Sequence, residues 1–233
     1  MNNFEQNGFE LIDSVYTGEE TAQILQTINQ HTNQQNSVQT ASSLFAIRQF
    51  FKEIPDCLPL VFTNKLKSLL FNRFGNAYFI VKSIYFDKPP ASNWFVAYHQ
   101  DLTISVDKKT EIPGYGPWTT KQDQFSVQPP TAILEDNFTI RIHLDTTTDE
   151  NGALRVIPGS HQNGVIRLNA ADLQQMKEIV CTVKAGGVML MKPLLLHASG
   201  RTTNNRQRRV IHIEFSRSPL PDAIHWSEKT SIP

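Results

Sequence analysis

The first 75 residues carry apolar positions at the spacing that is typical of amphipathic helices. Thr17 and Glu20 stand three residues apart, as in a capping box, in which the threonine side chain accepts the backbone N–H of the glutamate. The apolar positions that follow predict a helix from this box to about His31. The pattern then stops, and the Asn/Gln/Ser/Thr-rich segment 32–40 is predicted to be a loop.

A second apolar stripe predicts a helix from Leu58 to Arg73, with Gly75 as its stop. After this glycine the period changes from helical to strand-like. The segment from Ala77 to Phe86 is rich in aromatic and β-branched residues, and a Lys-Pro-Pro sequence ends it. Further strands are predicted at Phe95–His99, Ala132–Leu134, Phe138–Asp145, Leu154–Ile157, Ile179–Val183, Val188–His197 and Arg208–Phe215.

The number and order of these elements predict a mainly β fold with helices. Eight short strands after a helical preface suggest a jelly roll, that is, a double-stranded β-helix of the cupin type, with helices packed on one outer face. The adjacent residues Asn151 and Gly152 tolerate positive φ and predict a hairpin between two of the strands. We therefore expect one domain over residues 1–233, with a helical N-terminal elaboration over 1–75 and a jelly-roll core over 77–216.

The longest stretch without clear periodicity covers residues 107–130. A loop of that length inside a compact domain is usually a lid or a binding loop. It contains Trp118, Lys121 and a Gly-Tyr-Gly sequence, and its glycines would allow it to close over a substrate.

Composition narrows the class of partner. The 22 basic residues equal the 22 acidic residues among 233, so no bulk charge favours nucleic acid or an acidic membrane surface. No apolar run is long enough to span a bilayer, and the N-terminus does not have the form of a signal peptide. We expect a cytoplasmic protein with a small-molecule substrate. Cys57 and Cys181 have no ligand-like spacing and are expected to be buried thiols.

Candidate chemistry lies in the histidines. His99 and Asp101 are two residues apart at the end of a predicted strand, where residues i and i+2 point to the same face. One imidazole and one carboxylate can therefore meet one ion, and a histidine from a distant strand would complete a facial triad suited to non-haem iron(II). The same spacing recurs at His143 and Asp145, so the motif alone is ambiguous.

Context favours the first pair. His143 lies within a strand just before the predicted hairpin, whereas His99 lies at a strand end and is followed by the candidate lid. The third ligand is sought at His197, where an apolar strand opens into a polar turn. Arg208 begins the next strand, where its planar fork can grip a carboxylate in two hydrogen bonds; a surface arginine is the alternative.

These residues resemble the phytanoyl-CoA dioxygenase family of iron(II)/2-oxoglutarate-dependent oxygenases. The resemblance covers about Ala77 to Phe215 and rests on motifs in a fixed order. They are Asn93-Trp94 before His99-Gln100-Asp101, Asn151-Gly152-Ala153-Leu154 before Pro158-Gly159-Ser160-His161, and His197-Ala198-Ser199-Gly200 with Arg208 eleven residues after the histidine.

The resemblance implies a double-stranded β-helix. It implies that His99, Asp101 and His197 hold Fe(II), that Arg208 anchors the distal carboxylate of 2-oxoglutarate, and that O₂ is the oxidant. Related halogenases have a small residue in place of the metal carboxylate. The presence of Asp101 therefore favours hydroxylation, with release of succinate and CO₂, over halogenation.

Strand alternation adds candidates around the metal. Arg141 is predicted to face the interior, where an unpaired charge is costly, and we expect it to contact an anionic group of the substrate or co-substrate. The alternative is an ion pair with Asp145 or Glu214. His212 shares the parity of Arg208 and is expected to make a supporting hydrogen bond.

Either Tyr85 or Lys82, on the strand before the metal strand, could support 2-oxoglutarate; ordinary packing is the alternative. Two other classes of protein fit part of the pattern. One is a non-catalytic jelly roll, which would be expected to lack at least one ligand. The other is a zinc-dependent cupin-type enzyme using the same pocket, in which Arg208 would have no carboxylate to hold.

Overall fold

The structure is a computed structural model that describes residues 3–35, 46–90, 92, 94–121, 124–167 and 175–233. Its helices are α1 (Asn3–Asn7), α2 (Gly18–Gln35), α3 (Phe50–Glu53), α4 (Cys57–Val61), α5 (Asn64–Phe74) and α6 (Thr131–Asp136). Its strands are β1 (Phe9–Ile12), β2 (Ala46–Arg48), β3 (Phe79–Lys88), β4 (Val96–His99), β5 (Ile104–Val106), β6 (Trp118–Lys121), β7 (Gln124–Val127), β8 (Phe138–His143), β9 (Leu154–Val156), β10 (Ile179–Val180), β11 (Val188–Met191), β12 (His197–Ser199), β13 (Arg208–Ser216) and β14 (Thr230–Ser231).

Two antiparallel sheets form the body of the fold. The major sheet has the order β1-β11-β8-β13-β3-β14, with β2 also paired to β3, and the minor sheet has the order β10-β9-β12-β4. A third sheet of three strands, β5-β7-β6, lies beside them. Neither large sheet closes on itself. The mainly β, jelly-roll class predicted from the sequence is confirmed.

The helices cover one face of the major sheet. The largest hydrophobic cluster joins residues of α2 to α5, such as Ile24 and Leu66, to alternate residues of the central strands, such as Ile140 and Ile213. These side chains are almost fully buried, so this face contributes most of the apolar burial. The opposite face of the same strands is left to line an interior between the two sheets. No helix among the described ranges is long and apolar enough to cross a membrane.

Local signals set the helix ends. Thr17 and Glu20 form the reciprocal capping box, with Glu20 N–H donating to Thr17 Oγ1 at 3.1 Å and Thr17 N–H to Glu20 Oε2 at 2.7 Å. The helix continues to Gln35, so the expected loop begins later than predicted, and residues 36–40 lie outside the described chain.

The second predicted helix is two helices. Thr63 breaks it, because its side chain accepts the N–H of Leu66 and so caps a new helix, α5. This helix ends at Gly75, which has φ 78°, as the sequence predicted.

The predicted strand Val188–His197 is also two elements. Its halves, β11 and β12, belong to different sheets, with Pro193 between them. Proline has no N–H to donate to a sheet, so a continuous central strand is disfavoured there. The split matters for the site, because it moves His197 from the major sheet to the minor one.

Asn151 and Gly152 do form a turn but not a hairpin, so that prediction is wrong. The strands on either side, β8 and β9, belong to different sheets, and Asn151 ends a short 3₁₀ helix. Gly152 has φ 82°, and a Cβ there would lie 2.7 Å from both Gly200 O and Lys88 Nζ. The glycine is therefore needed for a close approach as well as for its backbone conformation.

Two further segments differ from expectation. Ala132–Leu134 lies in helix α6, not in a strand; so short an apolar run does not distinguish the two by periodicity. The segment 107–130 contains strands β6 and β7, which pair with each other, while Trp118 packs against a hydrophobic cluster. Its role as a lid stays a prediction.

Candidate metal centre and co-substrate pocket

The three predicted ligands converge at one point between the two large sheets. His197 on β12 is paired directly with His99 on β4, and Asp101 follows two residues after His99. The Nε2 atoms of His99 and His197 each lie 3.8 Å from a carboxylate oxygen of Asp101. One ligand atom from each residue lies within 4.8 Å of the others, a separation that one bound ion can bridge.

Each imidazole is held in the tautomer that a metal requires. The Nδ1 of His99 lies 2.9 Å from the carbonyl oxygen of Ala97, and the Nδ1 of His197 lies 2.9 Å from that of Leu195. A carbonyl only accepts, so each Nδ1 carries the proton and each Nε2 keeps a free lone pair. Both rings therefore present Nε2 to the same point.

The surroundings of His197 and Asp101 keep both groups in the charge states that a metal ligand needs. It lowers the pKa of His197 to about 4, so the ring is neutral at pH 7. Burial alone would raise the pKa of Asp101, but the neighbouring imidazoles and the Lys82 ammonium outweigh it and hold that pKa below its usual value. A neutral imidazole and an ionised carboxylate result.

Gln100 secures the turn between two of the candidate ligands. Its side chain points away from the triad, and its Nε2 donates to the carbonyls of Gly164 at 2.8 Å and Leu194 at 2.6 Å. Its Oε1 accepts from the N–H of Ile166 at 2.8 Å. The residue thus ties the metal strand to the two segments that flank it.

The triad opens into a cavity of about 370 Å³ lined by both sheets. Arg208, at the start of β13, lies in its wall and is 4% exposed. It donates one hydrogen bond to the carbonyl of Gly152, but its Nε has no partner among the described residues. Burial, with a smaller contribution from Arg141, lowers its pKa to about 9. A buried guanidinium with an unused donor and no carboxylate partner is suited to bind an anion.

Lys88 adds to the positive charge behind Arg208. It is paired with Arg208 across the sheet, is 1% exposed, and donates to the carbonyl of Gly200. Burial first and Arg208 second lower its pKa to about 8. A second cation therefore lies next to Arg208 on the neighbouring strand, outside the cavity lining.

Arg141 also lies in the cavity wall, in a chain of polar contacts across three strands. It donates to His212 Nδ1 at 3.0 Å, and His212 Nε2 lies 3.1 Å from Glu214 Oε1. Glu214 Oε1 also accepts from Lys82 Nζ at 2.8 Å. The alternative of an ion pair between Arg141 and Asp145 or Glu214 is not found, since Asp145 pairs with Arg209 and Glu214 with Lys82.

Tyr85 is the one predicted site residue that the structure does not bring to the cavity. It lies on the helix-covered face of β3 and stacks on Phe50, with ring centroids 5.9 Å apart. Lys82 lies on the opposite, cavity-lining face. Sequence alternation separated the two residues but could not say which face was interior.

The second His-x-Asp pair makes no joint site. Asp145 binds Arg209 through both carboxylate oxygens, at 2.7 Å each. His143 pairs with Thr147 Oγ1 at 2.8 Å, and burial together with two nearby arginines holds its pKa well below the usual value. Neither His143 nor Asp145 belongs to a group of three potential metal ligands among the described residues.

Sequence reasoning missed two features of the cavity. The pairing of Lys82 with Glu214 was not anticipated, although Glu214 shares the parity of Arg208 and His212 on one strand. The position of Lys88 behind Arg208 depends on the register between β3 and β13, which no local pattern reveals.

The donor set fits an iron(II) centre. Two imidazoles and one carboxylate are the ligand types of a non-haem iron(II) facial triad, and here they converge at the wall of the cavity. The unpartnered Nε of Arg208 in the same cavity fits a co-substrate that carries a second carboxylate.

Sequence comparison finds relatives of unassigned role. The uncharacterized protein Rv1501 of Mycobacterium tuberculosis and Mb1539 of Mycobacterium bovis are each 29% identical over 122 residues. The match covers 49% of this chain and 43% of either relative, so the chain spans less than half the length of the curated proteins it matches.

Structural comparison finds non-haem oxygenases. SnoK, an α-ketoglutarate-dependent carbocyclase from nogalamycin biosynthesis, has a TM-score of 0.68 at 15% identity, covering 92% of this chain and 81% of that chain. EctD from S. alaskensis with 2-oxoglutarate and 5-hydroxyectoine has a TM-score of 0.66 at 18% identity, covering 92% and 73%. EvdO2 from Micromonospora carbonacea var. aurantiaca, complexed with 2-oxoglutarate, has 0.64 at 18%, covering 95% and 91%. At these identities the likeness shows the fold.

The family is shown by sequence. The profile of the phytanoyl-CoA dioxygenase family matches residues 4–210, most of the chain. Iron(II), 2-oxoglutarate and O₂ are the cofactors of this family. The match extends across the helical N-terminal part and through both large sheets as far as the start of β13. The chain belongs to the phytanoyl-CoA dioxygenase family of iron/2-oxoglutarate oxygenases.

Proposed function

We propose that this chain is an Fe(II)/2-oxoglutarate-dependent dioxygenase that hydroxylates a small molecule. In the balanced reaction, the substrate C–H, O₂ and 2-oxoglutarate give the alcohol, succinate and CO₂. The observation that carries the proposal is one cavity that contains both a convergent His-Asp-His triad and a buried arginine with no carboxylate partner among the described residues. Neither a zinc hydrolase nor a non-catalytic jelly roll accounts for that arginine.

His99, Asp101 and His197 are the proposed metal ligands. Their Nε2 and carboxylate atoms converge, and the backbone carbonyls at Nδ1 fix the two rings. The metal supplies O₂ activation coupled to oxidation of the 2-oxo acid, which is cofactor chemistry. The chain contributes ligands of defined charge and an enclosed pocket.

Arg208 is the proposed anchor for the distal carboxylate of 2-oxoglutarate. Its guanidinium is fixed by the hydrogen bond to Gly152, and Lys88 behind it adds positive charge. A buried, oriented fork binds a carboxylate more strongly than an exposed one, because water does not compete.

The test uses the protein mixed anaerobically with Fe(II) and 2-oxoglutarate. We expect a weak visible charge-transfer band and, after air is admitted, release of succinate. Asp101→Asn should lose both signals. Asp145→Asn is the matched control, since it alters the other His-x-Asp pair, and it should keep the band.

Three outcomes would count against the proposal. One is the absence of both band and succinate in the wild-type protein. Another is equal loss in the two variants while both remain folded. A third is a hydrolytic activity with Zn²⁺ that needs neither O₂ nor 2-oxoglutarate, which would support the zinc alternative.

A further inference from the structure

The charges lining the cavity are not balanced by the proposed metal and co-substrate. Among the described residues, the charged side chains in its wall are those of Arg48, Lys82, Asp101, Arg141, Arg208 and Glu214. Lys82 and Glu214 neutralise each other at 2.8 Å. A divalent metal and a dianionic 2-oxo acid cancel, and Asp101 offsets only one of the three arginines. Two positive charges therefore remain.

One of these charges is buried and forms no salt bridge with any residue that the structure describes. Arg141 is 7% exposed, and its Nε has no hydrogen-bond partner among the described residues. An uncompensated cation in such a place is costly, so it is retained where a ligand supplies the missing anion.

The guanidinium of Arg141 is oriented by its neighbours. Arginine only donates, so His212 Nδ1 must be the acceptor and the proton of the ring lies on Nε2. That proton is donated to Glu214, which Lys82 holds from the other side. The chain fixes one edge of Arg141 and leaves its Nε unused.

Arg141 and Arg208 enter the cavity from backbone positions that are well separated along the sheet. His212, the direct partner of Arg141, lies four residues from Arg208 on β13, about 13 Å along the strand. If Arg208 holds the far end of 2-oxoglutarate, Arg141 is left for another ligand. Asp101 acts electrostatically on Arg141, which places that arginine on the metal side of the cavity.

A second arginine, Arg48, lies at the outer end of the cavity. The sheet register aligns Arg48, Ile84, His212 and Arg141 across four adjacent strands. Arg48 lies at the exposed end of this row, about 14 Å from Arg141 in Cα position. One cation is thus at the cavity mouth and one at depth, an arrangement that draws an anion inward.

We propose that the substrate is a small molecule with an oxyanion group, a carboxylate or a phosphate, which Arg141 binds beside the metal. The cavity of about 370 Å³ is at the small end for a ligand site and must also hold the co-substrate. This inference rests on the proposed function, because the charge balance includes the metal and 2-oxoglutarate.

The test compares anions with matched neutral compounds. The protein is loaded anaerobically with Fe(II) and 2-oxoglutarate and titrated with hexanoate against hexanamide, benzoate against benzamide, and hexyl phosphate against hexanol. Binding is followed by the charge-transfer band and by calorimetry. We expect at least one anion to bind about tenfold or more tightly than its neutral partner. The carboxylate and phosphate pairs distinguish the two sources of the anion.

Variants assign that preference to Arg141. Arg141→Gln should abolish it while changing the affinity for 2-oxoglutarate by less than about twofold. Arg155→Gln, on an exposed salt-bridged side chain of the minor sheet, is the matched control and should change neither. His212→Gln keeps the charge of Arg141 but removes its orientation, so it should weaken the preference without abolishing it.

Several results would overturn the inference. The first is that no anion binds more tightly than its neutral partner in any pair, or that none binds at millimolar concentration. The second is that Arg141→Gln loses affinity for 2-oxoglutarate. If Arg141→Gln does not fold, an unchanged preference in folded His212→Gln would also overturn it. Absence of the band in the wild-type protein would instead reject the proposed function itself, so the two failures are distinguishable.

Discussion

Replacing Arg208 with methionine should stabilise the ligand-free protein and lower its affinity for 2-oxoglutarate. Burial lowers the pKa of Arg208 to about 9, well below the ordinary value for an arginine. That difference corresponds to about 5 kcal/mol by which the folded, ligand-free cavity disfavours the charged side chain. Methionine removes this cost and keeps part of the volume.

The net gain should be smaller than that figure. The variant also loses the hydrogen bond to Gly152, about 1–2 kcal/mol, and some packing. We expect the free energy of unfolding to rise by about 1–3 kcal/mol, in the range found when buried ions are replaced by apolar residues. Urea denaturation of the metal-free protein at pH 7 measures it.

The same substitution should weaken the binding of 2-oxoglutarate, because it removes the proposed anchor of the distal carboxylate. Loss of a buried, charge-assisted pair is worth about 2–5 kcal/mol, or roughly 30-fold to several thousand-fold in affinity. Titration of the anaerobic Fe(II) protein, followed by its charge-transfer band, measures this. Arg155→Met at an exposed salt bridge should move neither quantity by more than about 1 kcal/mol. Destabilisation of Arg208→Met by more than about 2 kcal/mol, with 2-oxoglutarate affinity unchanged, would refute the reasoning.

Three other predictions concern the support of the site. Gln100→Ala loses three hydrogen bonds and should lower metal affinity about 10- to 100-fold; unchanged affinity by chelator competition would contradict this. Because the folded pKa of His197 is about 4, below its unfolded value, the unfolded chain binds more protons as pH falls from about 6.5 to 4. The metal-free protein should therefore lose up to about 3 kcal/mol over that range, and His197→Gln should flatten the dependence in urea titrations; a parallel curve for the variant would exclude this cause. Phe138 stacks between Phe74 and Phe215, with ring centroids 3.7 and 4.7 Å away. Phe138→Ala should therefore lower the free energy of unfolding by about 3–5 kcal/mol, while the folded fraction keeps its metal affinity. A loss below about 1 kcal/mol would show that the stack is not essential.

Local signals in the sequence were reliable where one or two residues decide the structure. The capping box at Thr17 and the stop at Gly75 depend on hydrogen bonds and backbone conformations within a few residues, and both are present. The same holds for His99 and Asp101, whose two-residue spacing places both on one side of the chain end. Such features need no knowledge of distant contacts.

Signals that depend on which strand pairs with which were less reliable. Asn151 and Gly152 predict a turn, but a hairpin also requires that the flanking strands pair, and they lie in different sheets. The apolar run that ends at His197 predicts one strand, but at Pro193 the chain passes from one sheet to the other. Periodicity reports the local shape of the chain, not its partners.

By itself, the sequence determined the fold class, the residues of the proposed metal motif and the arginine eleven residues after His197. These follow from the alternation of apolar and polar residues, the spacing of the motifs and the family resemblance, none of which requires knowledge of distant contacts. Only the tertiary structure decided that Lys82 and not Tyr85 faces the cavity, and that Glu214 belongs to Lys82 and His212 rather than to Arg141. The physical reason is that alternation assigns residues to two faces but not to interior or exterior. Which face encloses the site depends on where the helices and the second sheet pack.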